Sequence, residues 1–266
     1  MSHFCLPKVS VEIIKILNCS VKARIIKVVY MKIELLNLIL ISSNKDKYEK
    51  FLLFCELKEK GLRKQSFKVL NEFIQNLKNC DFDVQKEFTI WLFDFVENSY
   101  YLYNHHVLVH QLETEILKPI LEKWMEISND DSRPYKWYAM YLNIENKMTY
   151  LKRALEIGGD SEQKVLKSII DIYLDRLWYS FHHISEDLYL GDYDINEEQL
   201  SQVSELVKRI SEKEIELQIK NANEYYRNLL DDWKSFKKEN DSGFMNWCYE
   251  KGKDYEWVKS YYYKNR

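Results

Sequence analysis

The chain has 266 residues, of which 46% are apolar and 30% charged, and its formal net charge is −3. A chain of this length and apolar content can bury a core without disulfides or metal ions, so its composition excludes an intrinsically disordered protein. The near balance of 39 basic and 42 acidic residues provides no overall charge that would attract nucleic acid or an anionic membrane. With only three prolines and six glycines, the chain favours helices joined by short polar loops over tight β-hairpins.

The cysteines give no sign of a disulfide framework or a zinc ribbon. Their number is odd, they are widely spaced, and no CxxC pair occurs. The glycines form neither a GxGxxG nor a GxxxxGK[ST] phosphate-binding loop. We therefore expect a cytoplasmic protein in a reducing environment, with no cofactor. The cysteines are Cys5, Cys19, Cys55, Cys80 and Cys248.

Residues 1–30 differ in residue pattern from the rest of the chain, because short apolar runs alternate with single basic residues. They are interpreted as an N-terminal extension with no evident role. A run that starts at Met31 resembles a signal peptide, because a lysine precedes an apolar stretch from Leu35 to Ile41. Glu34 and Asn37 interrupt this run, no small-x-small cleavage pattern follows, and the run is too short to span a membrane. We therefore expect no secretory signal and no membrane partner. One hypothesis is that the natural chain starts at Met31.

Helical periodicity begins at Tyr48. Apolar residues recur at three-and-four spacing from Tyr48 to Leu57 and again from Leu62 to Leu77, with Gly61 between the two runs. A glycine is typical of the position just past a helix end. The pattern therefore predicts two helices that form a hairpin.

Two further helices are predicted over 84–103 and 105–124, and Pro119 should kink or restart the second of them. The polar run SNDDSRP at 128–134 is the predicted boundary between two halves, and Pro134 suits the first turn of the helix that follows it. The predicted organisation is an extension at 1–30, helical hairpins at 31–130, and a second helical region at 131–266.

In the second region, Asp160 and Gln163 have the spacing of a capping box, which predicts a helix that runs from Ser161 to Ile184. The run SEDLYLGDYDIN at 185–196 is predicted to be an acidic and aromatic loop.

Asp194 and Glu197 provide a second capping arrangement, ahead of a helix or helix pair over 197–236 with a possible break at Lys213. Aromatic residues are dense in the last thirty residues and predict a terminal cap that packs on the core. They are Phe244, Trp247, Tyr249, Tyr255, Trp257, Tyr261, Tyr262 and Tyr263.

The stretch YLKRALEIGGDSEQ at Tyr150–Gln163 resembles the second helix and inter-repeat turn of tetratricopeptide-like helical-repeat proteins. Trp137 and Tyr141 are spaced like the aromatic pair of a first repeat helix, so the resemblance covers about one repeat, near 137–163. Gly158 and Gly159 stand where the family has a proline. The resemblance implies an all-α fold of antiparallel helical hairpins, stacked as an irregular TPR-like α-solenoid, and a binding role; it carries no catalytic residues to this chain.

The function predicted from these features is a protein-interaction module that binds a protein or peptide partner on a helical face, without catalysis. The alternative is a metal-dependent or acid-base hydrolase at the end of the long helix, where two adjacent histidines precede two adjacent acids. Adjacent side chains point about 100° apart on a helix, so the two histidines are poorly placed to share one metal ion. The candidate partner-binding residues are Trp137, Tyr141, Trp178, His182, His183, Glu186 and Asp187.

Two other patterns could bind metal. His106 and His110 lie four apart on a predicted helix with Glu113 nearly one turn further on, a spacing that can present two imidazoles and a carboxylate to a divalent ion. An ordinary helix face explains the same spacing, so no metal site is predicted.

A second pattern, Asp192, Asp194 and Asn196, imitates the start of a calcium-binding loop. The imitation fails because Glu197 occupies the glycine position and Val203 the position of the final glutamate. Capping and loop interactions are therefore the predicted role of these three side chains.

Lysines and aromatic residues alternate near the C-terminus, as they do in proteins that bind single-stranded nucleic acid. Glu250, Asp254 and Glu256 lie among them and dilute the positive charge. Nucleic acid is therefore not expected as a partner.

Overall fold

The structure, a computed structural model, describes residues 47–98, 107–239 and 243–255. Within these ranges every regular element is a helix, which confirms the all-α prediction at that level. The chain divides into two compact units: in the described ranges, the N-terminal unit covers 47–159 and the C-terminal unit 160–255. The predicted extension at 1–30 and the signal-like run after Met31 lie outside the described residues.

The N-terminal unit contains seven α-helices in the described ranges, of which the second and third are the longest. The bounds are α1 Glu49–Glu59, α2 Arg63–Lys78, α3 Phe82–Asn98, α4 His110–Leu112, α5 Lys118–Ile127, α6 Ser132–Tyr141 and α7 Lys147–Gly158.

Helices α1 and α2 form the predicted hairpin around Gly61. The glycine has a φ of +76°, and the chain reverses through two hydrogen bonds, from Leu62 N–H to Leu57 O at 2.9 Å and from Gly61 N–H to Lys58 O at 3.1 Å. This pair of bonds is the Schellman arrangement, which satisfies carbonyl groups left free at a helix end. A residue with a Cβ would be strained at this φ, so the glycine determines where α1 stops.

The predicted irregularity at Pro119 appears as a widened helical turn. A π-helical turn at Glu113–Leu117 joins α4 to α5, and Pro119 lies in the first turn of α5. Proline has no N–H to donate back along the helix, so a regular α-helical ladder cannot pass through this position.

The core of the N-terminal unit is built from aromatic side chains. Trp124 is fully buried and Trp137 is 1% exposed, and their rings meet edge to face with centroids 5.9 Å apart. Phe93 stacks on Trp137 at 5.1 Å. Because aromatic pairs in these geometries add stability beyond the area that they bury, Trp137 anchors α6 to α3.

The polar run SNDDSRP lies inside the N-terminal unit, between α5 and α6. The boundary between the two units follows Gly159 along the chain. Its Asp131 caps α6 by accepting a hydrogen bond from Arg133 N–H at 3.0 Å, and Pro134 lies in the first turn, as the sequence predicts. The run is therefore a helix-capping loop between two packed helices.

The C-terminal unit contains a helix pair, one very long helix and a short terminal helix. The bounds are α8 Gln163–Phe181, α9 Tyr193–Leu206, α10 Lys213–Glu239 and α11 Phe244–Glu250, with 3-10 turns at Gly159–Ser161, Ile184–Glu186 and Val207–Arg209. The predicted break at Lys213 is confirmed, since α10 begins there.

Both capping predictions in this unit were wrong in detail. Asp160 does not cap α8, because its carboxylate accepts from Arg209 Nε at 2.7 Å, while Gln163 Nε2 donates to the backbone oxygen of Asp160 at 2.6 Å. Helix α9 is capped by Asp192, which accepts from Ile195 N–H at 3.0 Å. Asp194 lies inside the helix, so α9 starts earlier than the Asp194 and Glu197 spacing predicts.

The predicted aromatic cap is present in the described part of the C-terminus. Phe244 and Trp247 of α11 are buried, and Phe244 packs edge to face on Trp233 of α10 at 5.1 Å. Tyr249 is an exception, since it is 86% exposed. Trp257 and the three tyrosines at 261–263 lie outside the described residues.

None of the helices in the described ranges combines the length and apolar character needed to cross a bilayer.

Candidate partner-binding groove

The C-terminal half of α8 and the first half of α9 line a groove of about 370 Å³ that is open to solvent. Its walls combine apolar side chains with a few polar ones. The lining residues include Ile172, Asp175, Tyr179, Ser180, Ile195 and Gln199.

The base of the groove is a buried network of polar side chains. Ser180 Oγ donates to Asn196 Oδ1 at 3.3 Å, and Asn196 Nδ2 donates to Tyr189 Oη at 2.7 Å. Ser180 and Asn196 are 5% and 2% exposed. Burial raises the pKa of Tyr189 to about 12, so its hydroxyl stays protonated and donates to Asp192 O at 3.3 Å. The network joins α8, the loop and the start of α9.

Gly191 allows the loop between α8 and α9, residues 182–192, to approach this network. A Cβ at this position would lie 2.6 Å from Asn196 Nδ2 and 2.7 Å from both Cβ and Oγ of Ser180. Such distances are far below van der Waals contact, so any larger residue would force the loop away from α8. The adjacent Leu190 N–H donates to Ser180 O at 3.0 Å and fixes the loop on the end of α8.

Gln199 contributes an unsatisfied amide to the groove wall. Its side chain is 7% exposed, its Oε1 is buried without a hydrogen-bond partner, and neither end of the amide bonds to any residue that the structure describes. A buried polar group without a partner costs on the order of 1–3 kcal/mol. Because Oε1 is itself shielded from solvent, a ligand in the groove would have to draw the amide outward to supply the missing hydrogen bond.

Large apolar side chains are exposed in the groove and in the chain segments that form it. Tyr179 is 59% exposed and Ile195 is 55% exposed, and both line the groove itself. Exposed apolar surface on a folded protein marks contact sites for partners. Four further exposed residues belong to the same stretch of chain, and we call all six the apolar rim: Trp178, Tyr179, Leu188, Leu190, Tyr193 and Ile195.

The same segment is strongly acidic. Residues 171–198 contain eight acidic residues and one basic residue, a formal charge of −7 with the histidines neutral, whereas the whole chain carries −3. Burial and the neighbouring Asp171 raise the pKa of Asp175 above its usual value. Its carboxylate forms no ion pair or hydrogen bond with any described residue.

Of the residues proposed from sequence to bind a partner, five lie at the end of α8 and in the loop. The Trp178 indole stacks on the His182 ring with centroids 4.8 Å apart, and His182 Nδ1 lies 2.7 Å from Tyr179 O. His183 Nδ1 lies 3.4 Å from a carboxylate oxygen of Glu186. These contacts order the rim, yet only Tyr179 of the residues named here lines the groove.

Asp187, the fifth of these residues, has a structural partner. Its Oδ1 accepts a hydrogen bond of 2.6 Å from Phe244 N–H, the first residue of α11. Its φ is +61°, in the left-handed region that aspartate tolerates better than most residues. The carboxylate therefore links the loop to the terminal helix.

Trp137 and Tyr141 belong to the other unit. Trp137 is core, and its Nε1 donates to Glu97 Oε2 at 3.0 Å. Tyr141 is half-buried against Phe93, with centroids 5.8 Å apart, and burial raises its pKa above the usual value. Both side chains therefore stabilise the N-terminal unit, and neither belongs to the groove.

The three residues that the sequence offers as metal ligands, His106, His110 and Glu113, are not brought together in the described part of the chain. Glu113 is buried, and its Oε1 accepts from Asn143 N–H at 2.7 Å and lies 3.1 Å from Lys118 Nζ. His110 is exposed, and His106 lies outside the described residues. In the ranges that the structure covers, no group of three or more His, Cys, Asp or Glu side chains could hold a metal ion.

Two of the calcium-like trio have the capping and loop interactions predicted for them, whereas Asp194 lies inside α9. Asp192 caps α9, and Asn196 belongs to the buried network. Near the C-terminus, Lys251 and Lys253 form ion pairs with acids of α10, at 3.1 Å and 3.2 Å. These two lysines are thus already balanced by carboxylates of their own unit.

Sequence reasoning missed the groove itself. Ser180 and Gln199 are polar residues in helical segments, and nothing in their local sequence distinguishes them from solvent-facing positions. Gly191 carried a usable signal, since a glycine directly before a helix-capping aspartate suggests a loop held close to other backbone.

Comparison of the chain with protein-family models, with curated proteins and with solved structures finds no match.

Proposed function

We propose that this protein is an interaction module that binds a protein or peptide partner in the groove between α8 and α9. The observation that carries the proposal is an open groove with the exposed side chains of Tyr179 and Ile195 in it and the unbonded amide of Gln199 in its wall. A contact surface of this kind combines apolar anchors with a small number of polar groups that fix orientation.

The rim is large enough to contribute measurable affinity. An aromatic side chain buries roughly 150–250 Å² when fully enclosed, so a ring that is half exposed offers roughly 100 Å² more. At ~25 cal/mol/Å² this amounts to about 2 kcal/mol for each of Trp178 and Tyr179. Exposed aromatic residues of this type are the usual anchors of protein interfaces.

The hydrolase alternative has less support. His182, His183, Glu186 and Asp187 do not line the groove. The Asp187 carboxylate accepts from Phe244 N–H, and His183 pairs with Glu186 at the surface. A general base needs a substrate position within hydrogen-bond reach, and these four side chains line neither this groove nor the polar pocket at 128–133 and 157–158.

The proposal includes the arrangement of the helices. The resemblance of 137–163 to a tetratricopeptide-like repeat, together with the hairpins α1–α2 and α6–α7, supports an irregular α-solenoid. An experimental structure in which successive hairpins stack with a common rotation would agree, and a closed helical bundle would overturn this part of the proposal.

A cytoplasmic location is also part of the proposal, supported by the free cysteines. Cys55 and Cys248 are buried and Cys80 is exposed, and none of these three is in a disulfide. Mass spectrometry of the native protein after acid quenching and thiol alkylation tests the location. Alkylation of every cysteine is the expected result, whereas a disulfide would argue for an oxidising compartment.

Affinity capture from the native cell tests the binding function when variants are compared in parallel. Tyr179→Ala and Ile195→Ser should lose a partner that the unmodified chain retains. Tyr249→Ala is the matched control, because it removes an even more exposed tyrosine that lies on α11. Equal recovery of every captured protein by all four chains would overturn the proposal.

A further inference from the structure

We infer that the partner segment bound in the groove is basic, with a lysine or arginine side chain flanked by apolar residues. This inference rests on the proposed binding function and adds the chemistry of the partner.

The carboxylates provide the first argument. Asp175 and Asp192 line the groove, and Arg176 is its one cationic lining residue. Asp171 is already paired with Lys167 at 2.7 Å, whereas Asp175 has neither an ion pair nor a hydrogen bond with a described residue. Burial and like charge raise the pKa of Asp175, so a cation from a partner would relieve an existing repulsion.

The aromatic residues provide the second argument. The exposed Tyr179 ring in the groove can accept a cation over its face, an interaction worth on the order of 0.5–2 kcal/mol. The chain itself contains such a pairing beside the groove: Lys234 Nζ lies 5.2 Å from the centre of the Tyr193 ring and forms an ion pair with Glu197. A partner lysine at Tyr179 and Asp175 would repeat this combination of ring and carboxylate.

Gln199 indicates that the ligand is a peptide and not a small cation. A primary amide offers one acceptor and two donors, which match the N–H and C=O of a peptide group. The Gln199 amide is unbonded among the described residues and lies in the groove wall. An extended backbone along the groove would satisfy this amide once the Gln199 side chain turns toward the groove, while the basic side chain reaches Asp175.

The charge also selects against other classes of partner. Residues 171–198 keep a net negative charge after Lys167 and Lys234 pair with Asp171 and Glu197, and this charge would repel the phosphates of nucleic acids and anionic lipid headgroups. A basic segment of a protein is attracted by the same charge, and its association should weaken as salt is added.

The experiment uses the full chain, immobilised, and three synthetic peptide pools of equal length. The pools share randomised apolar positions and differ at the remaining positions, which hold Lys and Arg, Ser and Asn, or Asp and Glu. Retained peptides are identified by mass spectrometry, and the affinity of the best one is measured by fluorescence anisotropy at low and at physiological salt.

The variants are Asp175→Asn and Asp192→Asn, the second of which keeps a residue that can cap a helix. Glu198→Gln is the control, since it removes the same charge from an exposed position of α9 outside the groove.

We expect retention of the basic pool alone. The double variant Asp175→Asn with Asp192→Asn should weaken binding by about tenfold, and Glu198→Gln by less than about twofold. Retention of the neutral or acidic pool to an equal extent, with loss on Tyr179→Ala, would overturn the basic partner and leave the binding function standing. Retention of no pool, or of one pool equally by every variant, would also overturn the inference; the parallel capture experiment then decides separately whether the groove binds a protein at all.

Discussion

Ser180 Oγ on α8 donates a hydrogen bond to Asn196 Oδ1 on α9 across 3.3 Å, and both side chains are buried. Because these two helices form the walls of the groove, this buried polar contact holds the walls together at its base. Buried networks of this kind are costly to disrupt, since each group left without its partner loses the water that it had in the unfolded chain. The groove should therefore keep its form in the absence of a partner.

Asn196→Ala should lower the free energy of unfolding by about 1–3 kcal/mol, because it removes the contact between α8 and α9 and leaves the Tyr189 hydroxyl without its donor, while Ser180 Oγ keeps its bond to Arg176 O. Urea denaturation followed by circular dichroism measures the change. Ser201→Ala, an exposed position on the same helix, is the control and should change stability by less than about 0.5 kcal/mol. Equal stability of the two variants would contradict the network.

Gly191→Ala should destabilise the chain by about 1–3 kcal/mol, because the new methyl group would collide with Asn196 and Ser180. The double variant Gly191→Ala with Asn196→Ala should lose less than the sum of the two single losses, since shortening Asn196 removes one of the colliding groups. A thermodynamic cycle from urea denaturation measures the coupling, and strict additivity would argue against the close approach.

Trp137 and Trp178 should respond differently to the same substitution. Trp137→Phe should cost about 1–2 kcal/mol of stability, because Glu97 loses the indole N–H as a partner, and Trp137→Ala should cost about 3–5 kcal/mol. Trp178→Phe, at a position 46% exposed, should cost less than about 0.5 kcal/mol. Thermal and urea unfolding of the three variants give the comparison, and a large loss for Trp178→Phe would mean that the rim is structural.

These two tryptophans also show which features of the fold can be predicted from the sequence and which cannot. Helix type and approximate position follow from apolar periodicity, because burial of one helix face dictates the spacing of α1, α2 and α8 along the chain. Both Trp137 and Trp178 satisfy that pattern, yet one is core and the other is surface. The distinction depends on which helices pack against each face, and that is decided by contacts between residues far apart in sequence. Ser180 and Asn196 illustrate the same point, since their hydrogen bond needs the loop and Gly191 in place.

Asp187→Ala should detach α11 partially from the loop, because Phe244 N–H loses the carboxylate that accepts its hydrogen bond. The expected cost is about 1–2 kcal/mol, and Asp187→Asn should cost less, since asparagine keeps an acceptor and tolerates a positive φ. Hydrogen exchange of the amides of 244–250 provides the local readout. Unchanged exchange in Asp187→Ala would contradict this link.

The cap of α6 gives a pH dependence. Burial opposes ionisation of Asp131, but the hydrogen bonds and charge of Arg133 outweigh it and hold the pKa below its usual value of about 3.9. A depressed carboxyl pKa stabilises the fold above the unfolded-state pKa, and this stability is lost as pH falls through the folded-state value. Asp131→Ala should thus cost about 1 kcal/mol at neutral pH, and this cost should shrink as the pH falls through the folded-state pKa.

Asp131→Asn is the control for that measurement, because asparagine can cap the helix without the charge. Its cost should be smaller than that of Asp131→Ala at neutral pH, and acid titrations of unfolding free energy compare the three chains. A cost of Asp131→Ala that stays constant from neutral pH to acid would show that the ionised carboxylate is not the stabilising group.

The most direct test of the groove as the binding surface is hydrogen exchange of the full chain with and without a saturating amount of the best retained basic peptide. We predict slower amide exchange within 172–199, with the amides of α1 and α2 unchanged. Asp175→Asn should require more peptide to reach the same protection. Protection confined to the N-terminal unit, or no protection anywhere at saturation, would contradict binding in the groove.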